Sequence, residues 1–207
     1  LFALDRGREL WPSAAGPEGK SCASCHGDAE TAMRGVAARY PVFDAARGGL
    51  MNLELRINAE RNDRMKASPF AYESKDMLAL TAYVSAQSQG MPMAPVIDGP
   101  ARPFFEEGQK FYETRRGQLD LACGQCHDTL VGQHLRGDVV SQGQINGFPL
   151  WRLSWNSMLS RHRLFAWCNT SVRAEPYELG SPEYLALELY LAWRGRGLPI
   201  ETPAVRR

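Results

Sequence analysis

The chain has 207 residues, with 24 Lys and Arg against 23 Asp and Glu, a net charge of +1, and 44% hydrophobic residues. Interspersed charges in that balance exclude a polybasic nucleic-acid or membrane surface, and no apolar run reaches the length of a membrane-spanning helix. The length suits one large or two small domains with a real core.

In chain order, the first predicted helix carries Gly7 and the apolar pair Leu10-Trp11, with Gly16 as a stop. Next comes Cys22-Ala23-Ser24-Cys25-His26. This is C-x-x-C-H, the attachment pattern of a c-type haem. Two thiols three positions apart lie on one face of a helical turn, where they can add to two porphyrin vinyl groups. The histidine that follows is then placed under the iron. One copy alone also reads as half of a zinc site, which would want a second close Cys or His pair. Met33-Arg34-Gly35 follows, then an irregular stretch. Ser74 is the N-cap of the next helix, with Asp76 in its first turn; Leu78-Ala79-Leu80 and Tyr83 form its body. Gly90 fits its C-terminal stop, with Pro92 two residues on.

Residues 93–100, from Met93 to Pro100, read as a linker, because prolines and a glycine there separate two periodic segments. Beyond it the pattern returns. Gly108, Phe111-Tyr112 and Gly117 answer the first helix at an offset of 101, and Cys123-Gly124-Gln125-Cys126-His127 repeats the haem motif. Leu135-Arg136-Gly137 answers Met33-Arg34-Gly35. Later the offset is 107: Ser181, Leu185-Ala186-Leu187, Tyr190, Gly197 and Pro199 match the last helix of the first half. Two motifs that use four of the five cysteines favour two covalent haem c groups over zinc. The expected fold is all-α: two tandem cytochrome c-like domains, 1–97 and 98–207, related by internal duplication, loop-rich and packed around the haems. Few strand signals stand out.

The fifth cysteine is Cys168. The segment Trp151 to Trp167 reads as a helix, which places Cys168 in the loop before the last helix. Small cytochromes c commonly present their distal haem ligand there. Arg161, His162, Arg163 and Arg173 lie nearby in sequence and would favour a thiolate. The residues support a ligand or reactive thiol over an inert buried one. An arginine fork beside it suits a sulfate-like anion. In the first half the position of Cys168 falls on Arg61 or Glu60, so that half has no distal thiol; Met65 and Met51 are candidates, and Glu60 a poorer one. His134 and His162 read as structural or surface residues, and Trp151, Trp155 and Trp167 as packing.

The runs Gly117-Gln118-Leu119, Leu135-Arg136-Gly137-Asp138-Val139, Gly147-Phe148-Pro149, Val172-Arg173-Ala174-Glu175-Pro176 and Gly180-Ser181-Pro182-Glu183-Tyr184 resemble the SoxA family, as does Leu187 to Arg194. The resemblance covers essentially the whole chain. It implies a periplasmic subunit that works with a SoxX-type mono-haem cytochrome c. That assembly couples thiosulfate oxidatively to a cysteine of a SoxYZ-type carrier, making a cysteine S-thiosulfonate and sending two electrons to haem. It also implies that Cys22, Cys25 and His26 hold one haem, and Cys123, Cys126 and His127 the active-site haem. Cys168 would ligate that second iron and can carry a persulfide. Arg173 and Arg163 are the cations expected to hold the anion. The chain departs from the family at Ile57-Asn58-Ala59-Glu60-Arg61, where two-haem members typically have Ile-Asn-x-Cys-Arg. A start at Leu1 fits an exported chain whose leader is already removed. The competing readings are a di-haem thiosulfate dehydrogenase that makes tetrathionate and a plain electron-transfer cytochrome.

Overall fold

The structure, a computed structural model, describes residues 2–135 and 137–207. Arg136, within the predicted Leu135-Arg136-Gly137 repeat, and Leu1 lie outside the described residues. The first half runs α1 (Phe2–Leu10), α2 (Cys22–His26), α3 (Ala29–Ala32), β1 (Val42–Asp44), β2 (Gly49–Met51), α4 (Leu53–Asp63) and α5 (Lys75–Ala86). The second runs α6 (Arg102–Glu113), α7 (Cys123–His127), β3 (His134–Leu135), β4 (Asp138–Val139), β5 (Leu150–Arg152), β6 (Ser157–Leu159), α8 (Arg161–Ser171), α9 (Pro182–Arg194) and β7 (Ala204–Arg206).

Helix α1 packs on α5, and α6 packs on α9. The sequence permits this close approach through one glycine in each pair. A Cβ on Gly7 would lie 2.4 Å from both Ala79 O and Tyr83 Cβ; one on Gly108 would lie 2.0 Å from Ala186 O. The predicted caps are in place. Ser74 Oγ accepts from Met77 N, and Ser181 Oγ accepts from Tyr184 N. The helices stop sooner than the glycines suggest, at Ala86 and Arg194. Gly90 and Gly197 instead turn the chain, with left-handed φ of 79° and 83°. The two segments that follow them pair with each other. Pro92 faces Pro199 in an antiparallel bridge, and Met93 N donates to Leu198 O at 2.9 Å. The predicted linker is therefore anchored where it begins: Met93 is buried in the main core.

The chain is not purely helical. β1–β2 and β3–β4 are small hairpins, and β5 lies between antiparallel β6 and parallel β7. These strands replace the helix expected from Trp151 onward. Asn156 takes a left-handed turn (φ 47°) that sends β6 back along β5. Ser160 then caps a new helix, its Oγ accepting from Arg163 N at 3.2 Å.

Candidate functional site

Each C-x-x-C-H closes into a single helical turn. Ser21 and Ser24 cap the first reciprocally; in the second, Gln125 Oε1 accepts from Ala122 N at 2.7 Å. A side chain at the end of the opening helix in each half ties to the segment just past its turn. Trp11 Nε1 donates to Gly27 O at 2.9 Å, and Tyr112 OH donates to Asp128 Oδ1 at 2.9 Å. His127 Nδ1 lies 2.8 Å from Ser141 O. A carbonyl only accepts, so Nδ1 donates and Nε2 is the nitrogen left to hold a metal. His26 lies against the Trp11 ring, centroids 6.0 Å apart. All five cysteines are free of disulfides. Among the described residues no three His, Cys, Asp or Glu side chains converge as a bare metal-ion site, which zinc would need. Paired thiols on one turn beside a bare imidazole nitrogen fit haem c.

Cys168 sits on α8 rather than in a loop, one turn before the helix end; Val172 N donates to its carbonyl at 3.2 Å. As a residue it is half-buried, but its sulfur is enclosed, and burial pushes the thiol up to about 12, with Cys123 and Cys126 adding to the rise. Cys168 thus lies near enough to the second haem-attachment pair to feel the charge of its thiols. The protein alone keeps it a neutral thiol, and a thiolate there needs a metal's charge beside it.

The cation that acts on Cys168 is Arg152. This residue was missed in the sequence because it lies on a separate strand, upstream of the turn. The signal that could have found it is Trp151-Arg152-Leu153-Ser154-Trp155, a cation set among tryptophans. Arg163 is exposed, 3.8 Å from Glu73 Oε2 and 5.2 Å from the Trp155 ring. Arg173 has a left-handed φ of 59° and reaches Gln118 Oε1 at 3.5 Å. With Thr114 and Arg116 it lines an open cleft of about 490 Å³. The two predicted cations therefore lie in different surroundings, Arg163 at the Trp155 ring and Arg173 at the cleft.

In the first half the place of Cys168 falls on Arg61 or, one residue earlier, on Glu60. Met65 N donates to Glu60 O at 3.1 Å, and the next residue, Lys66, is left-handed (φ 53°) as Arg173 is. Glu60 Oε1 lies 3.7 Å from Arg56 Nη1. Met65 is buried and lines, with Cys22, Arg61 and Phe70, a cavity of about 160 Å³. Met51 is buried in β2. His134 is exposed in β3. His162 is fully buried, its Nδ1 accepting from Gly180 N and its Nε2 donating to Glu188 Oε2, both at 2.9 Å. Both of its nitrogens are occupied, so its role is structural.

Such helical turns under crossed helices, each pairing two thiols with a histidine, define a c-type cytochrome, which holds haem c. A family model described as the SoxA/TsdA cytochrome c domain matches residues 6–93. The L-cysteine S-thiosulfotransferase subunit SoxA of Pseudaminobacter salicylatoxidans is 43% identical over 208 residues, across 100% of this chain and 73% of the relative. The chain belongs to the SoxA family of L-cysteine S-thiosulfotransferase subunits. The SoxA subunit of Rhodovulum sulfidophilum is likewise 43% identical over 206 residues, 100% of this chain and 72% of that protein. The crystal structure of SoxXA from P. pantotrophus superposes with a TM-score of 0.96 at 42% identity, across 100% of this chain and 78% of that one.

Proposed function

We propose that the chain, with a SoxX-type mono-haem cytochrome c, joins thiosulfate to a cysteine of a SoxYZ-type carrier in the periplasm. The carrier S–H bond breaks and an S–S bond forms to the outer sulfur of thiosulfate. One proton and two electrons leave, giving the cysteine S-thiosulfonate. Bound haem c would supply one-electron acceptors, the two haems of this chain and that of the cytochrome partner taking the two electrons singly. The observation that carries this reading is the fifth cysteine. Cys168 is enclosed on α8 against Cys123 and Cys126, as a sulfur facing the second haem would be.

In this proposal Cys168 is the reacting centre; with His127 it would hold the second iron, and it can carry a persulfide. Cys22, Cys25 and His26 hold a first haem, and Cys123, Cys126 and His127 the second. Arg163 and Arg173 act from the surface, drawing a dianion toward the site. The tandem halves 1–97 and 98–207 are supported by the repeated ties of Trp11 and Tyr112 to their haem turns, and by Pro92 pairing with Pro199. Equivalent segments that face each other are what a local two-fold relation produces. Among the described residues no helix is long and apolar enough to cross a membrane. Exposed Trp151, Leu153 and Trp167 beside the site offer an apolar rim to the cytochrome partner.

Cys168→Ala in the haem-loaded complex should abolish carrier-dependent turnover while both haems stay attached. Turnover without any carrier protein would favour tetrathionate formation instead. Full turnover in the alanine variant would remove Cys168 from the chemistry.

A further inference from the structure

Arg152 ends strand β5, yet its guanidinium lies against the turn of α8 that carries Cys168. The Trp155 ring centroid is 4.8 Å from its central carbon and the Trp167 centroid 4.7 Å. The two indoles meet edge to face at 5.8 Å, so the guanidinium is gripped by both. Its Nη2 donates to Asp138 Oδ2 at 3.0 Å and its Nε to Ser154 Oγ at 3.1 Å. The side chain is only 11% exposed. Trp167 is the residue before Cys168, so the stacked guanidinium lies beside the helical turn that carries the thiol.

A guanidinium has five N–H donors in a rigid fork. Here two are engaged, and Nη1 has no hydrogen-bond partner among the described residues. Arg116 is clamped too, 4.6 Å from the Phe111 and Tyr177 ring centroids and donating to Tyr177 OH, with its buried Nε unpaired among the described residues; Arg152 differs in stacking on Trp167, the residue before Cys168. Arg161 is buried but paired with Glu188 and the Phe148 carbonyl. Arg163 and Arg173 are more exposed, with longer contacts to Glu73 and Gln118. A cation that is fixed, largely buried and left with a donor to spare gains from meeting an anion. Asp138 offsets part of its charge at rest.

We infer that Arg152 holds the sulfonate oxygens of thiosulfate beside Cys168, and that Trp155 and Trp167 fix its fork for that purpose. This rests on the reading of Cys168 as the reacting centre. The inference places the specificity for a small tetrahedral oxyanion on a strand residue rather than on the helix that carries the thiol. The bland alternative is that Arg152 merely bolts β5 to α8.

The test uses the haem-loaded protein with its cytochrome partner. It measures steady-state coupling of thiosulfate to the carrier cysteine, and calorimetric binding of thiosulfate to the oxidised complex without carrier. Arg152→Met keeps the stacked bulk and removes the charge. It should raise both KM and the dissociation constant about tenfold to a hundredfold, the loss expected of a charged hydrogen-bonded contact. kcat and the haem spectrum should change little. Arg152→Lys should recover part of the affinity, and Asp138→Asn should lower KM. An unchanged KM and binding constant in Arg152→Met, with only a lower melting temperature, would leave the bolt as its whole role. If that variant does not fold, an unchanged KM in Asp138→Asn overturns the assignment equally. If the parent shows no carrier-dependent turnover, or Cys168→Ala keeps it, the reading of the site fails first and the role of Arg152 falls with it.

Discussion

Cys168 and Glu60 occupy corresponding places near the ends of α8 and α4, each followed by a left-handed residue that turns the chain away. A thiol and a carboxylate offer iron different chemistry: soft, polarisable sulfur against hard oxygen. Glu60→Cys therefore should give the first haem a thiolate signature, read as a new low-spin component by electron paramagnetic resonance, with the haem count unchanged. An identical spectrum would show that this position does not reach the iron. The lone thiol was legible because nothing else in the sequence accounted for it. Arg152 was not, because its relation to Cys168 depends on two indoles that meet only in the folded chain. Arg163, close to Cys168 in sequence, lies 3.8 Å from Glu73 Oε2.

Among the elements, α5 and α9 were readable because local chemistry starts them: Ser74 and Ser181 accept from backbone N–H groups three residues on. The stretch from Leu150 to Leu159 was not, because its strand character comes from a distant partner. β5 is held by β7, whose pairing joins Leu150 to Ala204, and long-range pairing overrides local pattern. At the helix crossings, Gly7 and Gly108 set how closely the backbones approach. Replacing a mid-helix glycine with alanine gains about 1 kcal/mol in propensity. Here the added Cβ would fall 2.4 Å and 2.0 Å from a facing carbonyl, and such overpacking costs roughly 1–3 kcal/mol or more. Overpacking should win. Gly7→Ala and Gly108→Ala should each lower the melting temperature, Gly108→Ala more, measured by circular dichroism on the haem-loaded protein. A rise in either would mean that the helices slide apart freely.

Across the whole molecule, the two halves share a buried polar cluster. From the first half come Asn52, Glu54 and Tyr72; from the second, Arg161, His162 and Glu188. Asn52 Nδ2 and His162 Nε2 both donate to Glu188 Oε2 at 2.9 Å, and Arg161 Nη1 donates to Glu188 Oε1 at 3.0 Å. Burial alone would raise Glu188, but the charge of Arg161 and the hydrogen bond of His162 outweigh it and hold Glu188 below its usual range. Glu54 is pushed the other way, up to about 7, first by burial and then by the negative charge of Glu188. Its Oε2 has no partner among the described residues, as suits a carboxyl that keeps its proton. The signs oppose each other. Glu188 contributes stability above its unfolded value and loses it on acidification. Glu54 binds its proton more tightly folded than unfolded, so stability falls as pH rises from about 4.5 through about 7. Full ionisation of Glu54 costs on the order of 3 kcal/mol. The melting temperature should therefore drop between pH 5 and pH 8. Glu54→Gln, which keeps the shape and cannot ionise, should remove most of that drop while matching the parent at pH 5. An equal decline in both proteins would place the pH sensitivity elsewhere, and the carboxyl at the junction would then be ionised throughout.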